Sequence, residues 1–369
     1  MPRKTHFSAT FAHQYFAKLS TMHRALKNIP FVAPATSPVA LRTAFISTVG
    51  VATPPVRVEN SEIARNVVGI SPEGIESRTG IRSRFYAKPN QNTSDLAVEA
   101  AENALKQSGV SATDIDLILL ATATPDHLMP ATACRVQEDL GAIHATALDL
   151  SAACSGFVYA LWVGQQFIAT GAREHVLVIG AETMSRAIDP HDRQTAMIFG
   201  DGAGAVLLGA GTSDWSIGNF WTKTIGNQYR YLLRGGGTAC PTAETPTSSF
   251  LKMDGRAVFR AAVDGFTEAI QETLKVNRIT LEDVSWIVPH QANARIFEEV
   301  AKRLGINRPE RIWLNLSKYG NTVAASIPLA LADLFRDGNV AQDKALLLTC
   351  VGAGMTIGGT VLFPSMYSK

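Results

Sequence analysis

The sequence predicts an α/β fold in which a set of alternating strands and helices occurs twice. From Leu41 onward, apolar runs of strand length alternate with segments whose apolar residues have helical spacing. This order returns after an irregular stretch rich in Gly, Thr and Pro at residues 215–249, which indicates a duplicated topology without a repeated sequence. Hydrophobic residues make up 46% of the chain and charged residues 18%, so a large apolar interior is expected. Such alternation is typical of a mostly parallel sheet.

Residues 1–40 differ from the rest of the chain and are interpreted as an N-terminal extension. They contain five lysines and arginines, and no acidic residue precedes Glu59. Apolar residues recur at roughly helical spacing between Phe7 and Leu26, so a basic amphipathic targeting peptide is one interpretation. A start codon upstream of the working N-terminus and a functional extension are the alternatives. No catalytic residue is assigned to this region.

The predicted elements fall into two halves, residues 41–213 and 214–369. Apolar periodicity assigns the helices, and turn residues such as Thr53-Pro54-Pro55 mark the ends of strands. The first half is predicted to contain strands 41–49, 117–124, 147–151, 175–181 and 205–208, with helices 95–108, 131–140 and one that begins at Cys154. The second half is predicted to contain helices 257–274, 292–304 and 323–335, with strands 285–288, 312–316, 345–350 and 360–363. Because a strand follows the glycine-rich residues 200–204, these glycines do not form a dinucleotide-binding fingerprint.

Charge and cysteine usage exclude several classes of function. The formal charge of +2, from 34 basic and 32 acidic residues, gives no general reason to expect a nucleic-acid partner. No uninterrupted apolar run of about 18 residues occurs, so no membrane span is expected. The four cysteines are widely separated without a CxxC pair, and the eight histidines are scattered, so no metal site or disulfide framework is indicated. A reducing, cytoplasmic location fits this cysteine usage.

Cys154 is the candidate nucleophile. It follows a strand and three small residues, and an apolar run that fits a buried helix begins just after it. Unpaired N–H groups and the helix dipole at a helix N-terminus favour a thiolate, so the pKa of Cys154 is expected to be lowered. A small cysteine in the core is the alternative, and Cys154 alone does not decide between the two.

Three positions in the second half fit the needs of such a nucleophile. His290 follows a predicted strand, Asn321 lies between a strand and a helix, and Gly352-Ala353-Gly354 follows the last long strand. A capping histidine, a helix N-cap and a tight turn are the respective structural interpretations. All three positions and Cys154 lie near the carboxyl ends of strands, where open parallel sheets place their sites.

The order of these residues resembles that of the β-ketoacyl-acyl-carrier-protein synthases III of the thiolase superfamily, from about Leu41 to Phe363. The resemblance is carried by residues 152–157 (Ala-Ala-Cys-Ser-Gly-Phe), 199–204 (Phe-Gly-Asp-Gly-Ala-Gly), 290–293 (His-Gln-Ala-Asn), 320–326 (Gly-Asn-Thr-Val-Ala-Ala-Ser) and 352–356 (Gly-Ala-Gly-Met-Thr). It implies a thiolase-like fold, with a duplicated βα core in α-β-α-β-α layers, and a homodimer.

The resemblance also implies an activity. Cys154 would take an acyl group from acyl-CoA, and a decarboxylative Claisen condensation with malonyl-acyl-carrier protein would give a 3-oxoacyl product that initiates fatty acid biosynthesis. His290 Nε2–H and the Asn321 amide would act as neutral donors to the enolate, and the N–H groups of Cys154 and Gly354 would form an oxyanion hole. No resident cofactor is implied, because acyl-CoA and malonyl-acyl-carrier protein are substrates.

Further site residues follow from matching positions in the family. The coenzyme A contacts are expected at Arg78, Arg193 and Asn293, the acyl pocket at Met129 and Phe199, and the carrier-protein contacts at Arg260 and Arg295.

The chain also departs from the family at three positions. Gly74 stands where an adenine-stacking aromatic is usual, Arg256 replaces an asparagine, and Met129 replaces an aromatic that reaches into the neighbouring subunit's pocket. Because methionine is flexible, primers longer than acetyl are expected to be accepted.

The condensing enzyme has three alternatives. A thiolase would explain Cys350, which resembles that branch's second cysteine, but Asn321 stands where thiolases have Gly-His-Pro. A related acyltransferase would pass the acyl group from Cys154 to another acceptor in secondary metabolism, and the sequence barely separates it from the condensing enzyme. A silent partner subunit would have lost Cys154, His290 or Asn321, and all three are present.

Overall fold

The computed structural model describes residues 41–211, 215–238, 249–308, 311–337 and 340–367. The chain from Leu41 to Lys369 forms one compact unit. The predicted N-terminal extension lies outside the described residues, and the boundary between the two predicted halves at residue 213 stays a prediction. No helix within the described ranges is long and apolar enough to cross a membrane.

Strands and helices alternate along the described chain. The strands are β1 (Ala44–Ala52), β2 (Val56–Glu59), β3 (Ser83–Tyr86), β4 (Leu117–Ala121), β5 (Thr146–Leu150), β6 (Val176–Glu182), β7 (Gly202–Ala210), β8 (Trp215–Ile217), β9 (Trp221–Thr224), β10 (Leu232–Arg234), β11 (Leu251–Met253), β12 (Val284–Pro289), β13 (Ala345–Gly352) and β14 (Thr356–Pro364). The helices are α1 (Asn60–Asn66), α2 (Pro72–Thr79), α3 (Thr93–Ser108), α4 (Thr132–Leu140), α5 (Gly156–Ala169), α6 (Gly255–Val276), α7 (Ala294–Leu304), α8 (Leu316–Tyr319) and α9 (Ser326–Arg336).

One large sheet contains most of the strands, in the order β12-β13-β14-β8-β1-β7-β6-β4-β5, with β9 also paired to β14. The pairing scheme occurs twice. In the first half β4 pairs in parallel with β5 and β6, and β6-β7-β1 continue antiparallel. In the second half β12 pairs in parallel with β13, and β13-β14-β9 continue antiparallel. The predicted duplication of topology is therefore present.

The core is layered around two buried helices. A central apolar cluster joins α5 and α9 to strands of both halves of the sheet. A second cluster packs α3 and α4 on the outer side of the first half, and a third packs α6 and α7 on the second half. This arrangement gives the expected α-β-α-β-α layers, and it brings the N-terminal ends of α5 and α9 into the centre of the molecule.

The prediction of a mostly parallel sheet is wrong. Within the described part of the large sheet, three strand pairs are parallel and six are antiparallel. The reason is that each half ends with strands that run back beside the preceding strand, as β7 does beside β6 and β14 beside β13. The stretch at residues 215–249, expected to be irregular, contributes β8, β9 and β10.

The predicted strand at residues 312–316 is also wrong. Ile312 forms a single parallel bridge to Ile287, and helix α8 begins at Leu316. The side chain of Gln291 takes the place of a strand partner, because its Nε2 donates to the Trp313 carbonyl and its Oε1 accepts from the N–H groups of Asn315 and Leu316. A side chain that satisfies these backbone groups ends the ladder.

Candidate active site

Cys154, His290 and Asn321 line one apolar pocket of about 100 Å³. Phe199 and Asn293 line it as well, together with the residues on either side of Gly354. The three residues come from elements far apart in the sequence, and the two halves of the fold bring them together. A larger surface cavity of about 600 Å³ lies beside β1, α3 and α9, and it contains none of these residues.

Cys154 lies in the short turn that joins β5 to α5. Ala153 adopts a left-handed conformation with φ of 46°, and α5 begins two residues after the cysteine, at Gly156. A side chain at Gly156 would approach Ala121 Cβ within 2.9 Å, so the glycine allows α5 to pack directly on β4. The predicted position of Cys154 at a helix N-terminus is confirmed.

The expectation that the pKa of Cys154 is lowered is not met. Burial raises the pKa of the Cys154 thiol, and the Glu182 carboxylate and Cys350 raise it further. Desolvation of the charged form outweighs the helix dipole in this pocket. Cys154 is therefore a thiol at rest, and its attack on a thioester needs a base.

Asn321 lies in a corresponding turn of the second half, just before α9. Val323 has φ of 49°, close to the value at Ala153, and its N–H donates to Asn321 Oδ1 at 2.9 Å. Because this contact occupies the amide oxygen, the Asn321 NH₂ group is left as a donor at the pocket wall. The backbone of Asn321 is fixed by two hydrogen bonds, from its N–H to the Ile198 carbonyl and to its carbonyl from the Gly200 N–H.

The Ser326 hydroxyl fixes the tautomer of His290. Ser326 Oγ lies 2.7 Å from His290 Nδ1 and 2.9 Å from the Val323 carbonyl oxygen. A carbonyl cannot donate, so the hydroxyl donates its one hydrogen to Val323, and Nδ1–H donates to Ser326. Nε2 of the neutral ring then carries a lone pair. This tautomer is the opposite of the expected Nε2–H, and burial lowers the pKa of His290 to about 3, so the ring is neutral.

Gly352, Ala353 and Gly354 close the pocket against the Cys154 turn. A side chain on Gly352 would lie 2.7 Å from Ser155 N and 2.9 Å from the Ala152 carbonyl oxygen. Gly354 itself does not line the pocket, although Ala353 and Met355 do, and its φ of 134° suits glycine alone. The oxyanion role of Gly354 stays a prediction.

Asn293, one of the residues expected to bind coenzyme A, lines the pocket, and we call the ends of α2 and α7 that meet beside it the mouth of the pocket. Asn293 caps α7, because its Oδ1 accepts from the Arg295 N–H at 2.9 Å. Its Nδ2 donates to the Arg78 carbonyl at 3.2 Å. Arg295 Nε donates to the Ser77 carbonyl at 3.0 Å. These contacts join the end of α2 to the start of α7, and they place Arg78, Asn293 and Arg295 side by side.

Several arginines around this mouth lack acidic partners. Arg193 lies on the loop that Gln194 joins to the Gly255 N–H at 3.1 Å, and Gly255 lines the pocket. Arg256 and Arg260 lie on the first turns of α6 and are exposed. Within the described ranges, none of the five residues Arg78, Arg193, Arg256, Arg260 and Arg295 forms an ion pair. Guanidinium groups that have no acidic partner suit an anionic ligand.

Phe199 and Met129 differ in their relation to the pocket. Phe199 lies in an apolar cluster with Cys154, Met184 and Leu251, and it forms a bridge to Asn321. Met129 is 85% exposed and does not line the pocket of its own chain. Its role toward a neighbouring subunit stays a prediction.

Sequence reasoning assigned no role to Ser326 or Glu182. Ser326 was part of a quoted motif, and its polar side chain at the start of an apolar helix was the available signal. Glu182 ends a strand that is otherwise apolar, and it is completely buried beside the Cys154 turn. An acidic residue in such a strand is a signal in its own right, because a buried charge needs dedicated partners.

The geometry of Cys350 counts against a thiolase. Its sulfur donates to the Gly358 carbonyl at 3.4 Å, and burial raises its pKa to about 12. Cys350 does not line the pocket, whereas the next three residues do. A second acid-base cysteine is therefore missing from the pocket wall.

Known proteins share both the sequence and the fold. Residues 148–226 match the family model described as 3-oxoacyl-[acyl-carrier-protein] synthase III, and residues 274–363 match the model of the C-terminal part of that family. A β-ketoacyl-[acyl-carrier-protein] synthase III of Rhodospirillum centenum is 45% identical over 312 residues, which cover 84% of this chain and 95% of the relative.

Two solved structures extend the similarity. The 3-oxoacyl-[acyl-carrier-protein] synthase III of Aquifex aeolicus is 38% identical with a TM-score of 0.81, over 87% of this chain and 99% of that one. The priming β-ketosynthase of the R1128 polyketide pathway is 34% identical with a TM-score of 0.82, over 90% and 99% of the two chains. The predicted thiolase-like fold is thereby confirmed, and the chain belongs to the 3-oxoacyl-[acyl-carrier-protein] synthase III family of condensing acyltransferases.

Proposed function

We propose that Cys154 takes an acyl group from acyl-CoA and that the same pocket then condenses it with malonyl-acyl-carrier protein, which initiates fatty acid synthesis. The observation that carries the proposal is the meeting of Cys154, His290 and Asn321 in one pocket. The two half-reactions need a nucleophile, a group that accepts and returns a proton, and a fixed amide donor.

Loading begins from the neutral pair of Cys154 and His290. As the sulfur attacks the thioester carbonyl, its proton passes to Nε2, which is the free lone pair while Nδ1–H donates to Ser326. The bond between the acyl carbon and the coenzyme A sulfur breaks, and coenzyme A leaves as a thiol with the proton that Nε2 returns. Because burial holds the imidazole neutral, this proton moves only as the thioester is attacked.

Condensation needs a proton on Nε2 of His290, and the malonyl carboxylate beside the ring favours the charged imidazole that takes this proton from solvent. Malonyl thioester loses carbon dioxide, and the electron pair of the broken bond forms an enolate whose oxygen accepts from Nε2–H of His290 and from the Asn321 amide. The enolate carbon attacks the acyl carbonyl, the bond to the Cys154 sulfur breaks, and the thiolate recovers its proton from His290. The Nε2–H donor expected from the sequence is thus supplied when malonyl thioester binds.

Backbone N–H groups stabilise the tetrahedral intermediates. We assign this role to Cys154 and Gly354, since the Cys154 turn and the glycine segment are in close contact at Gly352 and Ser155. Each donor of this kind typically contributes a factor of about 10²–10³ in rate. This chemistry needs no resident cofactor.

The arginines without acidic partners near the pocket support the assignment of two anionic substrates. Arg78 and Arg193, with Asn293, are assigned to coenzyme A, whose phosphates suit guanidinium groups. Arg260 and Arg295 are assigned to the acidic acyl carrier protein, where opposite charge favours association.

A homodimer would complete the pocket and cover an open edge of the sheet. Among the described residues, strand β5 is the last in the sheet order and pairs only with β4. Leu128, Met129 and Ile143 near this edge are 79%, 85% and 68% exposed. An unpaired edge beside apolar side chains is a typical dimer surface, and Met129 would reach the partner's acyl pocket, where its flexibility suits primers longer than acetyl. The free cysteines among the described residues suit a cytoplasmic location.

A second candidate keeps the acyl-Cys154 intermediate and passes the acyl group to a different acceptor in secondary metabolism. The similarity to a polyketide priming β-ketosynthase supports this second candidate. The two candidates differ in the acceptor that releases the acyl group, so one experiment separates them.

Intact-protein mass spectrometry tests this proposal. The protein is incubated with acetyl- to octanoyl-CoA, and malonyl-acyl-carrier protein is added afterwards. We expect acylation that Cys154→Ala abolishes and Cys134→Ala, at an exposed free cysteine, leaves intact. Release as 3-oxoacyl-carrier protein supports condensation, and release only to another acceptor favours the second candidate. A strong preference for acetyl-CoA over butyryl- to octanoyl-CoA would contradict the primer assignment.

A further inference from the structure

Glu182 is a completely buried carboxylate with no assigned role, directly behind the active site. It ends β6, and no residue in the described ranges forms an ion pair with it. A buried acid without a cation is costly, so its hydrogen-bond donors decide whether it is tolerated. The question is what those donors hold in place.

Two groups of donors meet at this carboxylate. One group comes from the end of β4, where Ala123 N–H lies 3.0 Å from Oε1 and Thr124 Oγ1 lies 2.7 Å from Oε2. The second is the backbone N–H of Ala324, in the turn before α9, whose hydrogen bond lowers the pKa of the carboxylate. Glu182 therefore connects a strand of the first half to the start of a helix of the second half.

Ala324 lies in the segment that fixes both second-half residues of the site. Its neighbour Val323 donates to Asn321 Oδ1, and Ser326, two residues further on, accepts from His290 Nδ1–H. The segment also packs tightly on β6, because a side chain at Gly180 would lie 2.4 Å from the Ala324 carbonyl oxygen. Movement of Ala324 would therefore displace Asn321 and Ser326.

The duplicated topology gives a reason for a carboxylate at this place. Ala153 and Val323 share the left-handed conformation, and Cys154 and Ala324 are the residues that follow them at the start of α5 and α9. The N–H groups at a helix start have no partner within the helix. In the first half Cys154 at that position lines the pocket, and in the second half the carboxylate of Glu182 lies at Ala324.

We propose that Glu182 is a positioning residue for the decarboxylating half of the site, acting through the Ala324 N–H to hold the segment that carries Asn321. Its negative charge stabilises the N-terminal end of α9, as an acidic side chain in the first turn of a helix does. This inference rests on the proposed function for its kinetic consequence, but its structural consequence is independent of it.

The first test is hydrogen exchange of the purified protein. Glu182→Gln keeps the size of the side chain and removes the charge, so we expect peptides covering residues 321–326 to exchange at least about tenfold faster while those covering 153–156 are unchanged. Equal exchange in the variant and the wild type overturns the proposal, whether or not the protein condenses malonyl-acyl-carrier protein.

The second test separates the half-reactions. For Glu182→Gln we expect condensation from preformed acyl-enzyme to slow about 10- to 100-fold, with the KM for malonyl-acyl-carrier protein changed less than about threefold and acyl loading slowed less than condensation. A loss of acyl loading equal to or greater than the loss of condensation would overturn the proposal, since it would make Glu182 a partner of Cys154. Failure of the wild type to condense at all would instead refute the proposed function.

Two further variants control for damage to the buried cluster. Thr124→Val removes the shortest contact of the carboxylate but leaves the carboxylate and its Ala324 contact, so condensation should stay within about threefold of the wild type. Glu182→Asp keeps the charge and should condense faster than Glu182→Gln. The proposal is overturned if Thr124→Val loses as much condensation as Glu182→Gln, or if Glu182→Asp is no better than Glu182→Gln.

Discussion

Replacement of Ser326 by alanine should slow both half-reactions without removing any group that touches substrate. The hydroxyl accepts from His290 Nδ1–H at 2.7 Å and from the Gln291 N–H at 3.3 Å, and it donates to the Val323 carbonyl at 2.9 Å. Without it, the buried Nδ1–H loses its acceptor at 2.7 Å, which costs about 1–3 kcal/mol. The productive orientation and tautomer of His290 lose this stabilisation.

The magnitude follows from the size of that cost. At about 1.36 kcal/mol for each factor of ten, a loss of about 1–3 kcal/mol slows a step about 5- to 150-fold. Single-turnover loading of an acyl-CoA and condensation from preformed acyl-enzyme measure the two steps separately. Both should slow by factors in this range, because the same Nε2 accepts the thiol proton and later donates to the enolate.

Ser285→Ala is the matched control, since it removes a half-buried serine hydroxyl that donates to the Ala345 carbonyl at 3.1 Å on the neighbouring strand. It should leave both rates within about twofold. If a folded Ser326→Ala protein retains both rates within about twofold, the assigned tautomer does not matter for catalysis and the proton route through His290 is refuted.

Three other changes test separate parts of the structure. Burial raises the pKa of Glu182 to about 7. The stabilisation linked to this raised pKa is complete below the pKa of Glu182 in the unfolded chain, and it is lost as pH rises through 7. The difference in unfolding free energy between the wild type and Glu182→Gln should therefore fall by about 3 kcal/mol between pH 4.5 and 8. Urea titration at each pH measures this difference. A difference that grows with pH would contradict the assignment. Gly352→Ala would place a Cβ 2.7 Å from Ser155 N, so acyl loading should fall more than about tenfold, whereas Gly226→Ala, with no atom within 4 Å, should load normally. Equal loading by these two glycine variants would contradict the close packing. Leu148→Arg on β5 should convert a dimer into a monomer by light scattering, and a dimer that persists would place the interface elsewhere.

Much of the fold could be predicted because its periodic signals are strong. Helices such as α3, α6 and α7 and the buried strand β13 were predicted within a few residues, since apolar spacing and caps are local properties. The direction of the strands was not local information. The alternation of strands and helices indicated a parallel sheet, but β7 and β14 return beside their predecessors, which the sequence pattern does not show.

The sequence predicted which residues form the candidate site, but it did not predict their protonation states. Cys154, His290 and Asn321 were selected from motif order, and the structure places them in one pocket. The pKa of the thiol and the tautomer of the histidine depend on burial and on Ser326, which are properties of the folded packing. For the same reason Gln291 could not be recognised as the side chain that replaces a strand partner.

The central claim is that the first half of the fold carries the acyl group and the second half decarboxylates malonyl thioester. The most direct test is a single-turnover measurement on acyl-enzyme prepared from the wild type and from Asn321→Ala, with malonyl-acyl-carrier protein added and both the acyl-Cys154 mass and the 3-oxoacyl product followed. Asn321→Ala should load to the same extent as the wild type and then hold its acyl group, with product formation slowed about 10²-fold or more. An Asn321→Ala protein that loads and condenses like the wild type would contradict the account.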